Sequence, residues 1–500
     1  MLRNINYKII ISFLGLTALL NGFFMLLSSP FSIYHNEYAT TGILTAAGIT
    51  MSLGFLMWFF NRNAPKNLHK KEGYIIVTFG WLILSLTGTL PYLFTGAIPS
   101  FTDAFFETIS GYSTTGSSIL TDIEALPKGI LFWRSSTHWI GGMGIIVLTI
   151  AILPLLGIGG MQLFMAEAPG PSADKMHPRI TETAKRLWLI YLSLTLTEFI
   201  LLRFAGMTWF DAINHAMATM STGGFSTKNA SVAYWNGQPL IQYIITVFMF
   251  IAGTNFILTY FAFKGKIQRV LRNEEFRWYI IGVTLMTLVI TVLIVYFPHP
   301  TLQTTVDHPM SLGKFESAFR HAGFQVIAIF TTTGFVTADY STWNSFALMI
   351  IFSIFFIGGS AGSTSGGVKI VRHIIMIKSS VLELKKLLHP NAIIPVRYDG
   401  KAVHPNIVYN ILSFFVLYML IFIVSTVFLA GLGLDFKSAI GAAASSLGNI
   451  GPAFGSLGPI NNYALLSAPA KWFCSFLMLI GRLELFTVLV LLTPYFWRKN

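Results

Sequence analysis

The sequence predicts an all-α polytopic membrane protein with about ten transmembrane helices and four re-entrant helix–loop segments in a pseudo-fourfold arrangement. Three observations lead to this prediction. The 500 residues are 54% hydrophobic and only 11% charged, whereas an ordinary soluble domain carries about 25% charged residues. Apolar stretches long enough to cross a bilayer core of about 30 Å recur along the chain. Between the later stretches, four shorter segments resemble one another.

The spans are predicted from stretches of roughly 20 mostly apolar residues, the length that a spanning helix needs. The first stretch is too long, and too quickly followed by a second, for a cleaved secretory signal. We expect an N-terminal helix pair in 1–70 and pore repeats in 71–170, 171–272, 273–400 and 401–500. The ten predicted spans are 9–27, 40–60, 74–93, 135–156, 187–207, 241–263, 278–296, 345–368, 407–434 and 472–495.

The net charge of +13 is explained by topology. If the N-terminus is cytoplasmic, ten spans return the C-terminus to the same side, and most of the 33 Lys and Arg residues fall on cytoplasmic segments. This asymmetry follows the positive-inside rule. Contact with anionic lipid or an acidic partner is a secondary interpretation, and nucleic acid is not expected as a partner. The only cysteine, Cys474, excludes an internal disulfide framework.

Four segments share a pattern in which small and apolar residues lead to a hydroxyl- and glycine-rich stretch. A glycine marks each of them, at Gly116, Gly223, Gly334 and Gly451, with near-constant spacing. Each run has about ten residues, too few to cross the bilayer, so we expect a short helix and a returning loop. Irregular backbone at membrane depth is tolerated only when it is buried in protein or lines water. Four such loops around one axis would satisfy that condition together.

The residue types in these stretches suit a filter for a dehydrated cation, which must offer several oxygens at once without holding the ion too tightly. Glycine permits the backbone conformations required, Ser and Thr add hydroxyl oxygens, and each short helix directs the negative end of its dipole toward the centre. Close packing of small residues is the alternative, which four copies in register disfavour. The candidate ion-binding residues are Ser113, Thr114, Thr115, Gly116, Ser221, Thr222, Gly223, Thr332, Thr333, Gly334, Asn449, Ile450 and Gly451.

The third repeat contains a glycine-rich run at 358–367 within its second span. Five glycines at about 1 kcal/mol each relative to alanine disfavour a straight helix, so we expect a broken span. The alternative is a small-residue stripe at i+4 spacing that packs closely against another helix. The five glycines are Gly358, Gly359, Gly362, Gly366 and Gly367.

Arg482 lies deep within the last predicted span. A helical rise of about 1.5 Å per residue places it roughly 16 Å below Lys471. A charge at that depth usually faces a cavity or a partner. We therefore expect it to line the pore, with a structural ion pair to Glu484 or Glu198 as the alternative.

Other polar residues support weaker interpretations. Glu107 would either brace a filter or cap its helix, and Asp339 would either concentrate cations at the outer mouth or cap a turn. Glu198 is interpreted as a buried hydrogen-bonded group. His138 and His215 are interpreted as packed core histidines.

The four segments resemble the TrkH/TrkG/KtrB family of potassium transporters, and the resemblance covers nearly the whole chain. The N-terminal helix pair and the final loop, 448–452, are more similar to the TrkH branch. The resemblance implies K⁺ as the transported ion, no covalently bound cofactor and one filter glycine per repeat. Some relatives have serine at the first of these positions and pass sodium, so Gly116 favours potassium. The fourth loop departs from the Thr-rich pattern, so the filter is not fourfold symmetric.

The resemblance also implies a gate and partners. The family carries a mobile intramembrane loop in the third repeat and an arginine below the filter, which match 358–367 and Arg482. It implies a bacterial inner-membrane location, a homodimer and a ring of cytosolic nucleotide-binding subunits of the TrkA type. The basic run 369–378 would dock these subunits through Arg372 and Lys378, beside the basic loops 175–186 and 264–277.

A proton- or sodium-coupled secondary cation transporter is the main alternative. Such proteins usually show inverted repeats in paired halves, whereas the four segments here share one orientation. An intramembrane enzyme would need paired catalytic carboxylates, a metal-ligand cluster or a phosphate loop, and the sequence contains no such motif. We therefore do not expect an enzyme.

Overall fold

The computed structural model describes residues 5–64, 70–147, 176–296, 312–392 and 394–498. Within these ranges the regular structure is helical, apart from one antiparallel hairpin of β1 (Arg397–Tyr398) and β2 (Lys401–Ala402). The predicted all-α membrane fold is thereby confirmed. The predicted boundary between the first two repeats, at 170, lies outside the described residues, as does the part of the fourth predicted span beyond residue 147.

The N-terminal pair is a hairpin of α1 (Tyr7–Tyr34) and α2 (Ala39–Asn61). The two helices approach closely because both carry glycine at their crossing. A Cβ on Gly15 would lie 2.7 Å from the carbonyl oxygen of Gly54, and the converse distance is the same. Glu37 in the connecting turn accepts a hydrogen bond from Gly129 N at 3.1 Å, which ties the hairpin to the first repeat.

Each of the four repeats contains a long helix, a shorter re-entrant helix, a loop and a second membrane helix. The first consists of α3 (Lys70–Gly88), α4 (Leu90–Thr95), α5 (Phe101–Tyr112) and α6 (Lys128–Val147). The second consists of α7 (Met176–Phe204), α8 (Trp209–Met220), α9 (Pro239–Ala252) and α10 (Phe256–Phe263), followed by α11 (Ile267–Arg272). The third consists of α12 (Glu274–Tyr296), α13 (Lys314–Phe330), α14 (Ser345–Ile354) and α15 (Ile370–Leu388). The fourth consists of α16 (Pro405–Gly431), α17 (Phe436–Gly448), α18 (Ala468–Arg482) and α19 (Phe486–Leu489), followed by α20 (Pro494–Trp497).

Length and composition identify six to eight of the ten predicted spans within the described ranges. Within the described ranges, six helical segments are long and apolar enough to cross a membrane. Two further spans are bent by 109°, between α9 and α10 and after α18. The remaining two predicted spans correspond to α6 and to the interrupted pair α14 and α15. Many large apolar side chains on α2, α12 and α16 are exposed, as expected for helices that face lipid.

The re-entrant helices α5, α8, α13 and α17 begin at residues typical of helix N-termini. The side chains of Ser100, Thr208 and Asp435 accept hydrogen bonds from backbone N–H groups three residues later in α5, α8 and α17. Helix α13 instead begins after Gly313, whose φ is +94°. These three side-chain caps fix where α5, α8 and α17 begin, and therefore where the loop after each of these helices starts.

Candidate functional site

The loops that follow the four re-entrant helices share one backbone conformation. Each has a residue with positive φ directly after the helix or its C-cap, then a residue with ordinary φ, then a glycine with positive φ. Positive φ is rare outside glycine, so four copies of this pattern define the alignment of the repeats. The pairs with positive φ are Thr114 and Gly116, Thr222 and Gly224, Thr332 and Gly334, and Asn449 and Gly451.

This pattern corrects the sequence alignment in the second repeat. The sequence pattern aligns Gly223 with Gly116, but the residue with the equivalent positive φ, of 80°, is Gly224. Gly223 is therefore equivalent to Thr115, Thr333 and Ile450, the middle residues of the other loops. The error arises because Gly223 and Gly224 are adjacent, so either glycine can be aligned with Gly116 from the sequence alone.

The four loops contact one another in a closed ring. A Cβ on Gly116 would overlap the carbonyl oxygen of Gly223, the middle residue of the next loop. Gly451 closes the ring, because a Cβ there would lie 2.7 Å from the carbonyl oxygen of Thr115. The positive-φ glycine of each loop therefore packs on the middle residue of the next loop in chain order, and only glycine fits there. The four contacts are Gly116 with Gly223, Gly224 with Thr333, Gly334 with Ile450, and Gly451 with Thr115.

The side chains of the ring are buried, and some of their oxygen atoms have no protein partner. Thr114 Oγ1 and Asn449 Oδ1, which occupy equivalent positions, form no hydrogen bond. Other hydroxyls bond locally, as in the 2.7 Å contact between Ser113 Oγ and Thr115 Oγ1. Buried oxygens normally have partners. Unpartnered oxygens beside four convergent backbone loops therefore mark this ring as the candidate cation site.

Charged and polar side chains hold the outer parts of the loops. Arg134 on α6 donates to Glu107 on α5 at 2.7 Å and to the carbonyl oxygen of Ser226, in the second repeat, at 2.9 Å. Glu107 also accepts from Ile119 N at 2.9 Å, so it braces the first loop as the sequence suggested. Asp339 accepts from Ser341 N at 2.9 Å and caps a turn.

Three further residues singled out in the sequence are buried. Glu198 is completely buried, as predicted, and lies beside the hydroxyl group of Thr219. His138 stacks on Phe225 with ring centroids 3.9 Å apart. His215 contacts Asp211 O at 2.8 Å and Ser226 Oγ at 3.0 Å. Both histidines are packed core residues, as predicted.

The second span of the third repeat is broken, as predicted. Helix α14 ends at Ile354 and α15 begins at Ile370, so the glycine stripe does not lie on a continuous helix. We call residues 355–369 the Gly-rich segment. Thr364 Oγ1 donates to the carbonyl oxygen of Met220 at 3.0 Å, and Gly366 N donates to Thr332 Oγ1 at 2.6 Å. The segment therefore lies against the C-terminal ends of the re-entrant helices α8 and α13.

Arg482 reaches the Gly-rich segment from the fourth repeat. Its side chain is 2% exposed. Nη1 donates to the carbonyl oxygen of Thr364 at 2.8 Å, and Nη2 donates to that of Gly141 at 3.4 Å. Within the described ranges Arg482 forms no ion pair, and Glu484 pairs with Arg372 instead. The ion-pair alternative with Glu484 is therefore wrong, and no pair with Glu198 is observed.

The sequence pattern did not single out Glu275, and it assigned Lys369 to the basic docking run 369–378 and not to this site. Lys369 is buried and its Nζ donates to Ser365 within the Gly-rich segment. Glu275 on α12 accepts from Ala361 N at 2.8 Å and from Val371 N at 3.2 Å, so one carboxylate holds both sides of the segment. The only sequence signal for Lys369 is its position directly after the glycine run.

The predicted docking residues on α15 are used within the chain. Arg372 pairs with Glu484 and lies over the ring of Phe414 at 3.9 Å. Lys378 pairs with Glu274. Only residues nearer the end of α15 present their charges to solvent, as Lys385 does. The expectation that Arg372 is available to a partner is therefore wrong. The spacing of basic residues along α15 could not show that Glu484, from the fourth repeat, pairs with it.

The fold and the site together define a class of protein: a polytopic membrane protein whose four in-chain repeats surround one ring of backbone oxygens. Comparison with known families agrees with this class. The model of the TrkH family, described as cation transport protein, matches residues 40–498. The chain belongs to the TrkH family, and the predicted resemblance is confirmed.

Several relatives match over almost their full length. The Trk system potassium uptake protein TrkH of Salmonella typhimurium is 40% identical over 497 residues, which cover 99% of this chain and 100% of the relative. TrkG of Escherichia coli is 32% identical, with 94% of each chain covered. The crystal structure of the potassium transporter TrkH from Vibrio parahaemolyticus superposes with a TM-score of 0.88 at 38% identity, covering 99% of this chain and 100% of that one.

Proposed function

We propose that this protein takes up potassium across the bacterial inner membrane through a selectivity filter formed by the four loops. The observation that supports this most directly is the closed ring in which Gly116, Gly224, Gly334 and Gly451 pack on neighbouring carbonyl groups. Four convergent carbonyl groups can replace the hydration shell of a K⁺ ion. The relatives named as potassium uptake proteins support the same ion.

The ion-binding residues in this proposal are those predicted from the sequence, with Gly224 added. The C-terminal ends of all four re-entrant helices lie next to the ring, so the negative ends of their dipoles favour a cation there. No charged side chain belongs to the ring itself. Selectivity would then depend on the spacing of oxygen atoms, which the glycine contacts set.

The Gly-rich segment is the gate in this proposal. It contacts Met220, Gly253 and Thr332 of two repeats, and Arg482 ties it to the fourth. A backbone loop held by a few hydrogen bonds can move more readily than a continuous helix. Arg482 and Lys369 would place positive charge directly below the ring, where it opposes the passage of a cation.

A homodimer and a TrkA-like cytosolic subunit are part of the same proposal, with both termini in the cytoplasm. Helix α15 has 19 residues, or about 28 Å at the usual rise, and begins at the broken centre of a span. Half a bilayer core is only about 15 Å, so its last turns extend beyond the hydrocarbon. Leu384 and Leu388 there are 65% and 78% exposed, which favours a protein partner over water.

Flux measurements in liposomes test the proposed activity. Purified protein is reconstituted, and K⁺, Na⁺ and H⁺ movements are followed under imposed gradients, with protein-free liposomes as the control. We expect K⁺ to move down its own gradient without stoichiometric movement of Na⁺ or H⁺. Potassium movement that requires a Na⁺ or H⁺ gradient would instead establish a coupled secondary transporter.

A further inference from the structure

A large cavity lies on the predicted cytoplasmic side, where the second and third repeats join. Its volume is about 1200 Å³, and its walls come from α10, α11, the start of α12 and the turn of the β1–β2 hairpin. None of its lining residues belongs to the ring or to the Gly-rich segment. The cavity is therefore a separate feature of the molecule.

Basic side chains dominate the lining. Lys266, Arg269, Arg272 and Arg277 all line the cavity, and within the described ranges none of the four forms an ion pair. Arg269 lies over the ring of Phe261 at 4.1 Å, which holds its guanidinium at the wall. A group of unpaired cations around one cavity attracts an anion.

The two acidic residues of the lining are already engaged by other groups. Asp399 accepts from Glu274 N at 2.7 Å and from Asn273 Nδ2 at 2.9 Å. Glu274 pairs with Lys378 and accepts from Asp399 N at 3.0 Å. Neutral donors do not cancel the charge of Asp399, which also interacts with Arg277. The lining nevertheless has five basic and only two acidic side chains, so the cavity carries a net positive charge that can attract a ligand.

The surface around the cavity is apolar. Phe263, Ile267 and Leu271 are 64%, 57% and 53% exposed, and Ile267 and Leu271 lie on the same short helix as Arg269 and Arg272. A helix with exposed apolar residues and arginines is typical of the membrane interface. Basic pockets between membrane helices on the cytoplasmic side suit anionic lipid headgroups. A free phosphate or nucleotide would gain nothing from the apolar rim.

We propose that this cavity binds the phosphate headgroup of an acidic phospholipid, with Lys266, Arg269, Arg272 and Arg277 as its cationic contacts and the acyl chains against Ile267 and Leu271. The proposal does not depend on which ion the protein conducts. It assigns the basic residues of the 264–277 loop to the membrane, whereas the exposed end of α15 is left for a protein partner.

The test is lipid binding by the full-length protein in detergent, measured by native mass spectrometry and by thermal stabilisation. The probes are phosphatidylglycerol, phosphatidylcholine, inorganic phosphate and ATP. We expect phosphatidylglycerol alone to bind and stabilise. In the double variant Lys266→Gln/Arg272→Gln its affinity should fall about tenfold or more, given the usual contribution of each basic residue.

Two controls make the result decisive. Arg272→Lys keeps the charge and should retain phosphatidylglycerol binding, whereas Lys385→Gln/Lys386→Gln removes two charges from α15 and should leave it unchanged. Equal binding of phosphatidylglycerol and phosphatidylcholine would overturn the proposal, as would wild-type affinity in the double variant. Stabilisation by phosphate or ATP alone, equal to that by phosphatidylglycerol, would identify a soluble phosphate ligand and overturn the lipid assignment.

Discussion

Arg134 Nε donates to Glu107 Oε1 at 2.7 Å, and the two side chains are 3% and 0% exposed. The same guanidinium lies over the ring of Phe225 at 3.5 Å and donates to Ser226 O, so it joins the first repeat to the loop of the second. When one member of such a buried pair is removed, the other charge stays buried without a partner, and this strongly destabilises the protein.

We therefore expect Arg134→Ala to destabilise the protein by about 3–5 kcal/mol and to lower the Rb⁺-over-Na⁺ uptake ratio. The pair of Lys228 and Glu124, 3.6 Å apart with side chains 17% and 41% exposed, is the less buried control. Its removal should cost about 0–1 kcal/mol and leave the ratio unchanged. Thermal unfolding and uptake are measured on the same preparations. Equal effects of the two substitutions would contradict the bracing role of Arg134.

The glycines of the proposed filter should differ in whether a second substitution can restore selectivity. Gly224→Ser and Gly334→Ser place a side chain at φ of 80° and 73° and against a neighbouring carbonyl group, so we expect both to weaken discrimination against sodium. Gly223→Ser would instead meet the ring of His138. The additional substitution His138→Ala should therefore restore selectivity only in the Gly223 variant.

Gly48→Ser is the control for these variants, because a Cβ there has no neighbour within 4 Å. Rubidium and sodium uptake are compared in all of them. Unchanged ratios in both the Gly224 and Gly334 variants would count against a filter at this ring. Rescue of Gly224→Ser by His138→Ala would show that the corrected register is wrong.

Much of this architecture could be predicted because it depends on local properties. Apolar length determines the spans, and the Gly358–Gly367 run interrupts a helix by its own propensity. Only the approximate position of the ring could be predicted, because the sequence alone cannot decide whether Gly223 or Gly224 is the counterpart of Gly116. The partners of Arg372 and Arg482 could not be predicted, because Glu484 and Thr364 are more than one hundred residues away in the chain.

Shortening the Gly-rich segment should open the pore. Deletion of 360–364 removes the hydrogen bonds of Ser360 and Thr364 to the second repeat, so we expect several-fold higher K⁺ flux with an unchanged K⁺/Na⁺ ratio. Glu275→Gln, which weakens the hold on Ala361 N and Val371 N, should act in the same direction with a smaller effect. Loss of flux in folded, correctly inserted protein would favour a packing role.

The exposed end of α15 should carry the partner contact. Lys385→Glu/Lys386→Glu should reduce co-purification of a TrkA-like subunit, because the charges at that surface are reversed. Arg372→Gln should reduce stability instead, since Arg372 is buried against Glu484 and Phe414. Pull-down yield and thermal unfolding separate the two effects. A normal complex with the double variant would exclude this surface as the docking site.

Arg482 should act as an electrostatic brake on conduction. A guanidinium stays protonated at any relevant pH, and at an effective dielectric of about 20 two unit charges about 4 Å apart repel by roughly 4 kcal/mol. If about 1.4 kcal/mol of that remains at the limiting barrier, passage slows about tenfold. Arg482→Ala should therefore raise K⁺ conductance about tenfold with little change in the K⁺/Na⁺ ratio, and Arg482→Lys should stay near the wild type.

The competing explanation is structural, because Arg482 also satisfies the carbonyl oxygens of Thr364 and Gly141. Arg203→Ala is the control, since Arg203 similarly donates to the carbonyl oxygen of Met207, at 3.2 Å, but lies away from the Gly-rich segment. Single-channel or liposome flux is measured beside thermal stability. Lys369, when protonated, adds a second positive charge close to Arg482, so Arg482→Ala/Lys369→Met should conduct better than Arg482→Ala alone. An Arg482→Ala protein with lowered stability and normal flux per folded molecule would establish the structural role and reject the brake.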